Sequence, residues 1–139
     1  MGNAMKRFTE QIDLKMRTLA NKMNAKVSKD RPEYPQALRT FEERRIDWIE
    51  DNINKAIIFQ PNFELKGANE EKWNFGVAAW YFEGTTDLRF SENLVKETHF
   101  ESIANQLDQL LIDAVGRLSQ INMAELEWLN NERSKRFKS

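Results

Sequence analysis

His99 is the single histidine of the chain, and histidine is the side chain whose ordinary titration falls near neutrality. It stands in the run Thr98-His99-Phe100-Glu101. Thr98 and Glu101 have the spacing of a capping box, which predicts a helix start with His99 in the first turn, where the helix dipole disfavours the imidazolium. A neutral imidazole there could act as a base. Catalysis needs more than a base, and no Ser-His-Asp pattern supplies a nucleophile and an orienting group. A polar residue on an exposed helix start is the plainer expectation.

Carboxylates gather at Glu42, Glu43, Asp47, Glu50 and Asp51. On the helix expected there, Glu43, Asp47 and Glu50 or Asp51 share one face and offer the hard oxygen ligands that hold Mg²⁺ or Mn²⁺. Arg39, Arg44, Arg45 and Lys55 interleave with them, as on a solvated face laced with i,i+4 ion pairs. The Glu-x-x-His pairs of di-iron bundles are missing, so neither a metal nor another cofactor is expected. Glu64, Glu70, Glu71 and Glu83 could supply the acid and base of a carboxylate-dependent hydrolase, but nothing in the sequence fixes their separation.

The most distinctive stretch is Lys72-Trp73-Asn74-Phe75-Gly76-Val77-Ala78-Ala79-Trp80-Tyr81-Phe82. As a strand, its period of two puts Trp73, Phe75, Val77, Ala79 and Tyr81 on one face, the expected core face. Gly76, Ala78, Trp80 and Phe82 fall on the other. There the two small residues leave a depression bounded by two aromatic ones, able to admit a helix, a flat ligand or a partner side chain. A covering helix is the ordinary outcome, because amphipathic helices need sheet surface to bury.

These groups must be positioned by elements whose order is readable from hydrophobic period. Met5, Phe8, Ile12, Met16, Leu19, Met23 and Val27 step by three and four, predicting a helix over residues 4–27. Pro35 suits the first turn of a second helix running to residue 57, with Leu38, Phe41, Ile49, Ile53 and Ile57 inward. Residues 58–66, 72–83 and 87–90 read as short strands separated by turns at Gly67 and Gly84. Short turns between strands make an antiparallel meander. From Thr98 a long amphipathic helix follows through Ile103, Leu107, Leu110, Ala114, Leu118 and Ile121. Unbroken to Arg133 it would span about 50 Å, although Asn122 with Glu125 resembles a second capping box and a break near Gln120. The expected fold is therefore α+β: two N-terminal helices, a three-stranded meander and a long C-terminal helix.

At 139 residues the chain has the size of one domain. Residues 1–4 read as an addition ahead of a natural start at Met5, and residues 134–139 as a frayed basic tail. The absence of cysteine excludes thiol nucleophiles, iron–sulfur clusters and disulfides. Its longest apolar run, residues 75–82, is far shorter than the roughly 20 residues of a membrane span, and MGNAMKRF carries no secretory h-region; a cytoplasmic location is expected.

The net charge of −1 conceals basic ends and an acidic middle. Residues 1–29 carry seven basic and two acidic groups, 30–82 seven and ten, 83–127 three and nine, and 128–139 four and one. Arg133, Lys135, Arg136 and Lys138 could contact nucleic acid, but cations also compensate the dipole at a helix C-terminus. Complementary segments and a long terminal helix point to a homodimer. The functional expectation is a non-enzymatic protein-interaction or regulatory module. The alternatives are a small-ligand binder using residues 72–83 and, third, a carboxylate-dependent hydrolase.

Overall fold

The structure, a computed structural model, describes residues 2–30, 43–61, 73–98 and 100–138. The first helix, α1 (Gly2–Met23), buries Ile12, Met16 and Ala20 at four-residue spacing. It ends before Val27 because Asn24 adopts a left-handed φ of 56°. The amides of Asn24 and Ala25 then return to the carbonyls of Asn21 and Ala20, at 3.4 and 2.8 Å, the closure known as a Schellman motif.

Val27 belongs instead to β1 (Lys26–Asp30). Over residues 43–57 the expected second helix is replaced by β2 (Glu43–Glu50) and β3 (Ile53–Pro61), a hairpin closed by the pair Glu50 and Ile53, while its first part, residues 35–42, lies outside the described residues. Asp51 and Asn52 carry φ of 52° and 68°, the two positive values that a type I′ loop requires and that Asp and Asn tolerate. The helix-like spacing of Ile46, Ile49, Ile53 and Ile57 is accidental, since Ile46, Ile53 and Ile57 are buried while Ile49 is 71% exposed.

The sheet continues through β4 (Trp73–Glu83) and β5 (Thr86–Thr98), joined at Gly84, whose φ is 60°. It has five antiparallel strands in the order β1-β2-β3-β4-β5, not three. The sequence also divides the C-terminal helix. In place of one long rod stand α2 (Phe100–Asn105), α3 (Leu107–Ser119) and α4 (Met123–Lys138). Asn122 caps α4, its side-chain oxygen accepting from the Glu125 amide at 2.8 Å and its carbonyl from the Leu126 amide at 2.9 Å. A 13-residue α3 is about 20 Å long, so the length argument for a second subunit falls away.

Helix-to-sheet ties lie on one face of the sheet, the face of Ile46, Ile57 and Val77. Arg44 binds Asp13 of α1 through Nε at 2.6 Å, and Lys55 donates to the Leu118 carbonyl of α3 at 2.7 Å. Arg117 of α3 pairs with Glu92 and stacks over Phe90. Trp73, Phe75, Val77 and Ala79 are buried on this face, with Phe59 edge-on to Trp73 and Phe75 at ring-centroid separations of 5.7 and 6.1 Å. The molecule is thus an α+β fold in which the helices of the described residues pack on one side of a five-stranded sheet.

Candidate functional site

Strand pairing lays out the opposite face in rows. Lys26, Asp47, Ala56, Ala78 and Ser91 form one row across the five strands; Ile49, Asn54, Trp80 and Arg89 form the next, and Phe82 with Asp87 the one beyond. Among the described residues no helix is tied to this side, and Ala56 and Asn74 on it are buried. One amphipathic layer satisfies the other face, and α4 lies against the flank of β5 instead of crossing the sheet.

Trp80 and Phe82 stand half-buried and 55% exposed. Each carries a guanidinium over its ring: Arg45 lies 5.9 Å from the Trp80 ring and Arg89 5.1 Å from that of Phe82. Each arginine is in turn held by an aspartate two residues away on its own strand. Arg45 reaches Asp47 at 3.1 Å, and Arg89 grips both oxygens of Asp87 at 2.8 and 3.1 Å. Alternate residues of a strand project to the same side, so these pairs are a direct product of period two. Asp87 holds the Arg89 guanidinium above its ordinary pKa, by hydrogen bonding first and by charge second. A shallow cavity of about 420 Å³ lies between the aromatic pair and β5, lined by Ala78, Trp80, Phe82, Arg89 and Ser91 among others.

Of the four residues expected on this surface, Ala78, Trp80 and Phe82 line the cavity, whereas Gly76 serves a different purpose. A Cβ at Gly76 would lie 2.6 Å from the Glu92 carbonyl oxygen, beside an irregularity in β4–β5 pairing at Phe75 and Gly76. Its missing side chain admits the neighbouring backbone, not a ligand.

The carboxylate face dissolves with the helix that was to carry it. Asp47 and Glu50 stand on opposite faces of β2, paired with Arg45 and Lys55 respectively. Glu43 begins β2, and its side chain lies outside the described residues. Among the described residues no group of three or more His, Asp or Glu side chains is placed to hold a metal ion. His99, Glu64, Glu70 and Glu71 also lie outside the described residues. Glu83 accepts a hydrogen bond from the Tyr81 hydroxyl at the exposed hairpin end. The side chains of Arg133, Lys135, Arg136 and Lys138, which fall in α4, are likewise not described. No described helix is long and apolar enough to cross a membrane.

Sequence reasoning missed Arg45, Arg89, Asp47 and Asp87 as members of this surface. The signal was present as Arg-Ile-Asp in β2 and Asp-Leu-Arg in β5, opposite charges at a spacing of two, which meet only on a strand. Comparison with protein-family models, with curated proteins and with solved structures finds no match. The functional reading therefore rests on this geometry.

Proposed function

We propose that the chain is a non-enzymatic protein-interaction module whose docking surface is the open face of the sheet. The observation that carries the reading is the pair of ring–guanidinium stacks, Arg45 on Trp80 and Arg89 on Phe82, on a face that no described helix covers. Trp and Arg are the residue types that dominate binding energy at protein interfaces. Here they are already ordered by their aspartates, so less side-chain freedom is lost when a partner arrives. Protein partners, a second copy among them, and residence in the cytoplasm belong to this proposal.

A small-ligand binder remains the second reading, because a cavity of about 420 Å³ is within the usual range for ligand sites. Its walls come from two adjacent strands only, which favours a broad partner over an enclosed molecule. The test is affinity capture from the native source with the wild-type chain and a Trp80→Ala/Phe82→Ala variant. The proposal expects the variant to lose the captured protein while keeping the wild-type circular dichroism spectrum. Equal capture by both chains would place docking elsewhere, and saturable binding of a small molecule with no protein retained would favour the second reading.

A further inference from the structure

We infer that the free edge of β5 is a strand-addition site, and that Asn130 of α4 occupies it as a stand-in for an incoming chain. The occupant is an extended segment of a protein partner, running antiparallel to β5. This site adjoins the open face but does not rest on it, because it uses backbone groups in the plane of the sheet.

The hydrogen bonds show which groups are on offer. The Arg89 amide donates to Asn130 Oδ1 and the Arg89 carbonyl accepts from Asn130 Nδ2, both at 3.1 Å. Arg89 therefore turns its N–H and C=O away from Trp80, the residue opposite it on β4. In an antiparallel ladder alternate residues face the same edge, so Ser91 and Asn93, both exposed, present their backbone groups in the same direction. A carboxamide carries the donor and acceptor of a peptide group. Exchange of both bonds with a single residue is what an antiparallel neighbour supplies, and Asn130 reproduces it from a side chain.

The two edges of the sheet are built differently. β1 has five residues, Lys26 and Lys29 among them, short and basic in the way that discourages further pairing. β5 has 13 residues. Its pairing with β4 is regular from Thr86 to Asn93, and no proline interrupts it. Asp87 is paired with Arg89 and Glu92 with Arg117, so these charges do little to repel another strand. For such an edge α4 is a light cover. Among its described side chains only Leu126 is fully buried, where α3 buries five residues, and elements held by few apolar contacts open most readily.

The rows of β5 set the chemistry of the occupant. A residue opposite Arg89 projects to the open face, where an acidic side chain meets the guanidinium through Nη1, which the Asp87 pair does not use. A basic residue opposite Asp87 completes the charge match. Leu88 and Phe90 are half-buried on the helix side, so the residues opposite them are apolar.

The probe is the peptide acetyl-Thr-Val-Glu-Val-Lys-Thr-amide, whose Glu stands opposite Arg89 in that register, titrated into the full chain and followed by NMR at the Arg89 amide. Asn130→Ala is expected to bind it about tenfold more tightly than wild type, because the peptide no longer competes with a tethered amide. In that complex the Arg89 amide is expected to exchange as slowly as in the free wild type. The same peptide N-methylated at Glu cannot donate to the Arg89 carbonyl, and its affinity for wild type is expected to fall about tenfold; this comparison is independent of how the variant folds. Equal binding by wild type and Asn130→Ala overturns Asn130 as the stand-in, and equal binding of the two peptides overturns strand addition. Failure of Asn130→Ala to bind the parent peptide at millimolar concentration overturns the site itself. Trp80→Ala/Phe82→Ala is expected to bind the peptide as wild type does, which separates the fate of this edge from that of the open face; loss of binding there overturns the edge as an independent site.

Discussion

Gly76→Ala turns the close approach of β4 and β5 into a number. The added Cβ would sit 2.6 Å from the Glu92 carbonyl oxygen, 3.0 Å from Asn93 Oδ1 and 3.3 Å from Asn93 Cα. Ordinary carbon–oxygen contacts begin near 3.3 Å, so β5 must retreat by about 0.7 Å at its irregular pairing. Asn93 can swing its side chain away, but the Glu92 carbonyl is backbone and can yield only if the strand moves. Overpacking of this kind costs about 2–3 kcal/mol, at the upper end of its usual range because backbone is involved. The reduced freedom of the unfolded chain returns about 0.5–1 kcal/mol, leaving a loss of about 2 kcal/mol. At an unfolding entropy of about 2.1 cal/mol/K per residue, each kcal/mol lowers the Tm of a chain this size by about 3 °C, so a drop of about 7 °C is expected. Two other glycines calibrate the measurement. Gly116 is exposed on α3, and a Cβ there meets nothing within 4 Å, so alanine should raise Tm by about 3 °C through helix propensity. Gly84 has open space but a φ of 60°, so alanine should lower Tm by about 3–6 °C from backbone strain alone. Calorimetry on the three variants decides the matter: Gly76→Ala melting at or above wild type would refute the close approach.

Asn130 of α4 clamps the edge of the sheet, accepting from the Arg89 amide through Oδ1 and donating to the Arg89 carbonyl through Nδ2, both at 3.1 Å. Asn130→Ala should cost about 1–2 kcal/mol and speed hydrogen exchange at the Arg89 amide about tenfold. Unchanged exchange there would show that α4 does not guard the edge. Lys55 is 3% exposed and donates to Glu50 at 2.6 Å and to the Leu118 carbonyl near the end of α3. Lys55→Met keeps the aliphatic stem and should cost about 1–2 kcal/mol. Lys55→Ala also opens a cavity and should cost about 3 kcal/mol. Urea midpoints that fall equally for both would disprove the separate packing contribution.

What the sequence made legible depended on whether burial and period agreed. In α1 and α3 the inward residues, Ile12, Met16 and Ala20 or Leu107, Leu111, Ala114 and Leu118, recur every three or four positions with polar groups between, and the helices are plain. In β2 and β3 the inward rows contain Arg44 and Lys55, both buried, so the alternation of apolar and polar residues is broken at the positions that would reveal it. The apolar residues left visible, Ile46, Ile49, Ile53 and Ile57, imitate a helix. Asp51-Asn52 was the better guide, because two residues tolerant of positive φ between β-branched runs specify a two-residue hairpin loop. The length of β5 was hidden for a related reason: residues 91–98, Ser-Glu-Asn-Leu-Val-Lys-Glu-Thr, belong to an edge strand with a largely solvated outer face, where polar residues are expected.

The same error of period misplaced the candidate site. Read as a helix, residues 43–50 gathered acids into a metal-binding face; as a strand they separate Glu50, which serves Lys55 beneath the helices, from Asp47, which serves Arg45 on the open side. Cluster and surface are alternative consequences of one local choice, and the positive φ of Asp51 and Asn52 decides between them. With the hairpin in place, β2 brings Arg45 within 5.9 Å of Trp80 across β3, and an aromatic strand that was distinctive in isolation becomes part of a charged surface. The small residues Ala56 and Ala78 at its centre keep that surface low between its flanks, and Ile49 and Phe82 keep it apolar. Two flanks of mixed sign around such a centre are poorly suited to a polyanion.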